Sequence, residues 1–161
     1  YSLPDVFDEQ FPNRANAFQF DTDTRNIFIC ADSKRLLSAF LELLSNAAEA
    51  DNSCGSIQIH SHVNACGHTV TVSVTGKGSL SEINPSEMQT NPLIDADAPL
   101  TAQLSTPFFS TKENHAGLGL SIVAQVCHTH HAGFELYSRN GFTTAGITFP
   151  ILAMDDMRNT I

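Results

Sequence analysis

The stretch KRLLSAFLELLSNAAEA, Lys34 to Ala50, decides the fold, because it carries the strongest helical pattern in the chain. Its apolar residues recur at the i, i+3, i+4, i+7 spacing of a helix with one buried face: Leu36, Leu37, Phe40, Leu43, Leu44 and Ala47. Asp32 or Ser33 can cap its amino end. Two polar residues, Glu42 and Asn46, are four positions apart and therefore share one face of the predicted helix.

The composition predicts one globular domain. The chain has 161 residues, 42% hydrophobic and 16% charged, which is enough for one core and too little for two. A net charge of -9 with eight Lys and Arg argues against nucleic acid or a membrane surface as a direct partner. No apolar run is long enough to span a membrane. Because the sequence begins with Tyr1, we expect it to be a fragment of a longer protein.

In the rest of the chain, strands and helices are mixed and the last two strands are adjacent, which predicts an α/β sandwich rather than a strictly alternating parallel fold. Residues 1–16 look like a lead-in. Period-2 alternation or apolar character predicts strands at 17–20, 26–30, 57–63, 70–74, 133–139 and 145–152. Residues 79–116 hold four of the seven prolines and predict a long lid, and residues 153–161 form a tail. A second helix is expected from about residue 118, with Leu118, Ile122, Val123 and Val126 on its apolar face. Cys30 and Cys127 lie in apolar runs and are predicted to pack as small hydrophobes.

The stretch VTVSVTGKGSL, Val70 to Leu80, reads as a strand that runs into a glycine turn. The valines alternate with hydroxyl residues, so Val74 points to the packed side and Thr75 to the other. Gly76 and Gly78 free the backbone for a close approach to another group.

Two later stretches carry possible chemistry. In HAGLGLSIV, Gly117 and Gly119 come just before a predicted helix, where free N–H groups can hold a phosphate. In TPFFSTK, Phe108 and Phe109 are followed by Lys112, which could reach a terminal phosphate. Taken singly, each has a plain structural explanation: a tight loop before a core helix, and a lid anchored by buried aromatics. Likewise, Glu42 and Asn46 alone could be a solvated stripe.

The order and spacing of these pieces resemble one family, the ATP-binding catalytic domain of sensor histidine kinases. ELLSNAAEA resembles the family's Asn box, PFFSTK its Phe box, and GLGLSIV its second glycine box. The tail HHAGFELYSRNGFTTAGITFP resembles its closing helix end and strand pair. The resemblance covers residues 17–152 and is closest to the nitrogen-regulation type. This family belongs to the larger ATPase superfamily that includes gyrase and the mismatch-repair ATPases.

This resemblance implies the Bergerat fold, a two-layer α/β sandwich of a mixed sheet on about three helices, with ATP under a long lid. Asn46 would coordinate Mg²⁺, and Glu42 would be the polar or basic residue near the γ-phosphate. Lys112 would assist. The phosphates would be cradled by the segment Gly117, Leu118, Gly119 and Leu120, and the base side of the site would be formed by Val74, Gly76 and Gly78.

The resemblance also implies partners and a location. The γ-phosphate would pass to a histidine on an upstream dimerisation domain and from there to a response regulator. The seven histidines of this chain are not followed by Asp or Glu, so none fits the phosphoacceptor pattern. The fragment alone is compatible with a monomer. We expect it to be cytoplasmic, whether or not the full-length protein has a membrane anchor.

One position departs from the family pattern. The first glycine box is D-x-G-x-G, whose Asp holds the adenine amino group, but this chain has V-T-G-K-G at 74–78. Losing one buried hydrogen bond costs roughly 1–3 kcal/mol, which weakens binding without abolishing it. Two hypotheses follow: a working kinase domain with an altered adenine pocket, or a degenerate domain that acts as a regulatory or interaction module.

The histidines also raise the possibility of a metal site. HSH at 60–62 and HTHH at 128–131 contain side chains of the kind that bind zinc. The simpler interpretation places His60 and His62 on the wetter face of a strand, His128 and His130 at an exposed helix end, and His131 in a structural role before Gly133.

Overall fold

The computed structural model describes residues 18–22, 27–50, 56–78, 80, 100–106 and 117–152. These residues form five strands and three helices, numbered here in the order of the chain. The strands are β1 (Phe18–Thr22), β2 (Ile57–Val63), β3 (Thr69–Lys77), β4 (Gly133–Arg139) and β5 (Phe142–Pro150). The helices are α1 (Ser33–Ala50), the short α2 (Leu100–Leu104) and α3 (Gly119–Thr129).

The strands form a single mixed sheet in the order β1-β2-β3-β5-β4. The edge strand β1 runs parallel to β2, whereas the other neighbours are antiparallel. The predicted hairpin turn between β2 and β3 is confirmed, because the Asn64 N–H donates to the Thr69 carbonyl and the Gly67 N–H to the Asn64 carbonyl. The predicted α/β fold with a mixed sheet on helices is therefore confirmed.

Both long helices pack on one face of the sheet, and the core lies between the two layers. The buried apolar residues come from α1, α3 and the inward positions of β2, β3 and β5. They include Leu43, Leu44, Ile57, Val70, Val74, Val123, Cys127, Ile147 and Phe149. Within the described residues, no helix is both long and apolar enough to cross a membrane.

The amino end of α1 is capped as expected. Asp32 Oδ1 accepts hydrogen bonds from the backbone N–H groups of Lys34 at 3.0 Å and Arg35 at 3.1 Å. The hydrogen bond from Arg35 is the main reason why the pKa of Asp32 is lowered, since it favours the ionised carboxylate.

Three predictions about apolar segments were wrong. Residues 27–30 are not a strand; within the described residues, this segment is held to the segment after β5 by the bond from the Leu152 N–H to the Phe28 carbonyl. Cys30 is exposed rather than packed. Leu118 is 38% exposed because it precedes the first helical residue and stands outside the apolar stripe of α3.

His130 is not the free helix terminus that the sequence suggested. Its Nδ1 lies 2.7 Å from the Val126 carbonyl and its Nε2 lies 2.9 Å from the Asp32 backbone nitrogen. Since a carbonyl only accepts, Nδ1 donates and Nε2 accepts from the Asp32 N–H. The imidazole therefore joins the carboxyl end of α3 to the amino end of α1.

Candidate functional site

The site is organised by one face of α1, which contacts two glycine segments, residues 76–78 and residues 117–119. The helix places Glu42 and Asn46 on this face, one turn apart. A Cβ built at Gly119 would lie 2.7 Å from Glu42 Oε2 and 3.6 Å from Asn46 Nδ2. The polar pair of α1 and the first residue of α3 thus face each other across the contact between the two helices, although they lie more than seventy positions apart in the chain.

The first glycine segment, residues 76–78, contacts α1 nearer to the carboxyl end of the helix. A Cβ built at Gly76 would lie 2.8 Å from the Cβ of Ala47 and 3.3 Å from its Cα, and a Cβ at Gly78 would lie 3.3 Å from the Cβ of Ala50. Gly78 also has φ +149°, a conformation that favours glycine. Glycines are needed here because the strand end packs directly against the backbone of α1.

The amino end of α3 has the features of an anion site. Gly117 has φ +65°, which turns the chain sharply before the helix. Leu118 precedes the helix with no side-chain cap, and the first helical bond runs from the Ile122 N–H to the Leu118 carbonyl. The N–H groups of the first turn have no partner within the helix and carry its partial positive charge. The side chain of Leu120 instead packs against the core.

A chain of hydroxyl groups holds the turn that follows β3. The Leu80 N–H donates to Ser138 Oγ at 2.9 Å, Ser138 Oγ lies 2.7 Å from Thr143 Oγ1, and Thr143 Oγ1 donates to the Gly78 carbonyl at 3.1 Å. Because Thr143 gives its proton to Gly78, Ser138 must donate to Thr143. No local sequence pattern points to Ser138 and Thr143, since only strand pairing brings them beside Gly78.

Val74 lies in the packed layer, as the alternation of β3 predicts. It is 2% exposed and pairs in register with Ile59 on β2 and Ala145 on β5. Thr75 faces the other side of the sheet, where its hydroxyl lies 2.9 Å from that of Thr144. The position where the family pattern has an acid is thus surrounded by aliphatic side chains.

Several predicted features lie outside the described residues. These are Lys112, the two aromatics Phe108 and Phe109, and most of the predicted lid at 79–116. Of the lid, the structure describes only residue 80 and residues 100–106, which contain α2.

The electrostatics of the site restrict what it can bind. Glu42 brings a carboxylate to the positive end of α3, within a chain whose net charge is -9. A polyphosphate beside this carboxylate needs a cation between them, and a hard cation such as Mg²⁺ prefers oxygen ligands from carboxylates and amides. The Glu42 carboxylate and the Asn46 carboxamide supply both kinds of ligand at one place, so the residues present fit a metal–nucleotide complex.

Comparisons with known proteins agree with this geometry. The profile of the family described as "Histidine kinase-, DNA gyrase B-, and HSP90-like ATPase" matches residues 31–153. A "Sensory histidine kinase/phosphatase NtrB" from Rhizobium leguminosarum bv. phaseoli is 33% identical over 127 residues, which are 76% of this chain and 32% of that protein. The chain thus spans about a third of the length of the curated relatives it matches.

Two solved structures resemble the chain closely. The nucleotide-free catalytic domain of the histidine kinase ThkA is 27% identical, with a TM-score of 0.68 over 92% of this chain and 87% of that one. ThkA in complex with the response regulator protein TrrA is 25% identical, with a TM-score of 0.66 over 93% of this chain and 38% of that one. None of these matches supports the alternative of a degenerate interaction module. The chain therefore belongs to the family of histidine kinase-, DNA gyrase B- and HSP90-like ATPases, as the ATP-binding catalytic domain of a sensor histidine kinase.

Proposed function

We propose that this domain binds Mg²⁺–ATP between α1, the turn after β3 and the start of α3, and supplies the γ-phosphate to a histidine on a separate dimerisation domain. The observation that carries the proposal is the meeting of Glu42, Asn46 and Gly119, with Glu42 Oε2 2.7 Å and Asn46 Nδ2 3.6 Å from a Cβ placed on the glycine. Glycine at this position leaves room for a phosphate close to the helix amides.

Each residue has a distinct role in this proposal. Asn46 holds the magnesium ion through its carboxamide oxygen, and the ion neutralises the charge of the phosphates. Glu42 is the polar or basic residue near the γ-phosphate. The backbone of Gly117, Leu118, Gly119 and Leu120 cradles the phosphates, and Lys112 assists at the terminal one.

The base occupies the side of the site formed by Val74, Gly76 and Gly78. Ala47 and Ala50 close this side from α1, because they lie against the two glycines. With Val74 in place of an acid, the base is held by packing rather than by a carboxylate. We therefore expect ATP binding that is weaker than in a domain with the acid but still measurable.

The activity of the whole protein requires parts beyond the catalytic domain, for which we propose residues 17–152, preceded by a lead-in and followed by a tail. Its phosphoacceptor histidine would lie on an upstream dimerisation domain. The complex of ThkA with TrrA supports a response regulator as the second partner. Because ATP is supplied in the cytoplasm, we place the domain there.

Thermal unfolding of the chain with and without millimolar Mg²⁺–ATP tests the proposal. A ligand that binds only the folded state stabilises it by about 2.7 kcal/mol at a hundred times its Kd, so the melting temperature should rise by several degrees. We expect Asn46→Ala to reduce this rise. Glu49→Gln, on the exposed part of the same helix, should leave it unchanged and serves as the matched control. No rise in the unmodified chain at any ATP concentration would overturn the proposal.

A further inference from the structure

The outer face of the sheet carries a pair of histidines that the nucleotide site does not use. On β2, Ile57, Ile59 and Ser61 are buried toward the helices, so His60 and His62 point to the opposite face. Their rings stack with centroids 5.6 Å apart and planes inclined by 21°. The pair therefore lies on the other side of the sheet from Glu42 and Asn46.

The hydrogen bonds of His60 fix which ring nitrogen is free. Its Nδ1 lies 3.1 Å from the backbone carbonyl of Asp21 and 3.4 Å from Asp21 Oδ2, across the parallel β1–β2 pair. Since both partners are acceptors, Nδ1 carries the proton, and in the neutral ring Nε2 carries the lone pair. The His60 side chain is 40% exposed, so part of the ring is open to solvent.

A histidine whose Nδ1 donates to a carbonyl or carboxylate has the arrangement that metal-binding histidines commonly show. His62 is exposed, and no hydrogen bond of its ring is found among the described residues. Two imidazole nitrogens that share one tetrahedral ion lie about 3.4 Å apart. The two rings are neighbours on one strand face with centroids 5.6 Å apart, so rotating the side chains toward each other can bring one nitrogen of each ring to a shared ion.

We propose that His60 and His62 form a two-ligand site for a divalent transition metal of the zinc, nickel or copper class, with Asp21 as the positioning residue. Imidazole favours these ions over Mg²⁺, so the site is chemically distinct from the proposed nucleotide site. In the described part of the chain, no group of three or more His, Cys, Asp or Glu is arranged for a metal. Water therefore completes the coordination. We expect a Kd in the micromolar range, weaker than that of a structural metal site.

Titration of the chain with Ni²⁺ at pH 7.5, followed by calorimetry, tests this inference without ATP. Three variants are compared with the unmodified chain: His62→Gln, His60→Gln and Asp21→Asn. We expect either histidine change to raise the Kd at least about tenfold. Asp21→Asn should raise it by less than about tenfold, because the Asp21 backbone carbonyl that accepts from His60 Nδ1 at 3.1 Å is kept. His68→Gln, an exposed histidine in the β2–β3 turn, is the matched control and should bind as the unmodified chain does.

The titration is accompanied by melting curves without metal. These should be unchanged for His62→Gln, since its side chain is exposed. Ni²⁺ binding that survives in both histidine variants, or that falls equally in His68→Gln, overturns the site and assigns the metal to other surface groups. Because the readout contains no nucleotide, its failure leaves the proposed kinase function untouched, and failure of ATP binding leaves this site untouched.

Discussion

Gly119→Ala is the sharpest test of the proposed site, because stability and nucleotide binding should respond in opposite directions. The new Cβ would lie 2.7 Å from Glu42 Oε2, where ordinary contact begins at 3.4 Å. The carboxylate oxygen must therefore retreat by about 0.7 Å. Since it is the far end of a flexible side chain, this movement costs the fold little.

The helix itself should gain from the substitution. Replacing glycine by alanine where the backbone suits both residues stabilises a chain by roughly 0.4–1 kcal/mol, because the unfolded chain loses conformational freedom. The melting temperature without ligand should therefore stay equal or rise. Binding should fall, because the new methyl group takes the space proposed for the phosphate and displaces the Glu42 carboxylate, and overpacking of this kind costs about 1–3 kcal/mol. We expect the Kd for Mg²⁺–ATP to increase roughly ten- to a hundredfold.

The assay is a titration of Mg²⁺ and a fluorescent ATP analogue, run beside a thermal melt of the same sample. Gly133→Ala is the matched control, because its Cβ would meet the Thr148 Cβ at an ordinary 3.8 Å. This control should bind nucleotide as the unmodified chain does. If Gly119→Ala binds ATP with unchanged Kd, the start of α3 does not face the phosphates and the reasoning is refuted.

Further predictions concern the base side, the packing and two titratable groups. Val74→Asp should tighten ATP binding by about tenfold or more while lowering the melting temperature without ligand, since the side chain is 2% exposed; unchanged binding would show that the base lies elsewhere. Gly76→Ala should lower the free energy of unfolding by about 1–3 kcal/mol in urea titrations, because its Cβ would meet helix backbone at 3.3 Å; an unaltered midpoint would contradict this contact. The pKa of Asp32 is lowered in the folded state, so its charge stabilises the chain above the ordinary value of 3.8 and this contribution disappears as the pH falls through the lowered pKa. Melting curves of Asp32→Asn should therefore differ from those of the unmodified chain at neutral pH and converge with them in acid. Burial raises the pKa of the Cys127 thiol to about 11, so a thiol reagent at pH 8 should modify Cys66 at once and Cys127 only on unfolding.

The site could be predicted from the sequence wherever the signal is local. Glu42 and Asn46 share a helix face because helical spacing requires it, and Val74 is buried because strand alternation requires it. Ser138, Thr143 and the link through His130 could not be found in this way. Each acts on a residue more than fifty positions away, and no periodicity encodes such a contact.

The apolar segment at 27–30 is a second case in which the local pattern is insufficient, because here it predicts a strand that does not form. Its composition predicts a strand, but a strand needs a partner with a free edge, and within the described residues this segment is joined to residue 152 by one backbone hydrogen bond.

By itself, the sequence determined the α/β class, the amphipathic α1 and the motifs of an ATP-binding catalytic domain, because periodicity and spacing are properties of neighbouring residues. Only the tertiary structure decided that α3 begins against Glu42 and that the glycine strand end packs on Ala47. These contacts arise when two helices bury their apolar faces on one sheet, and that burial fixes distances between distant residues that no local pattern contains.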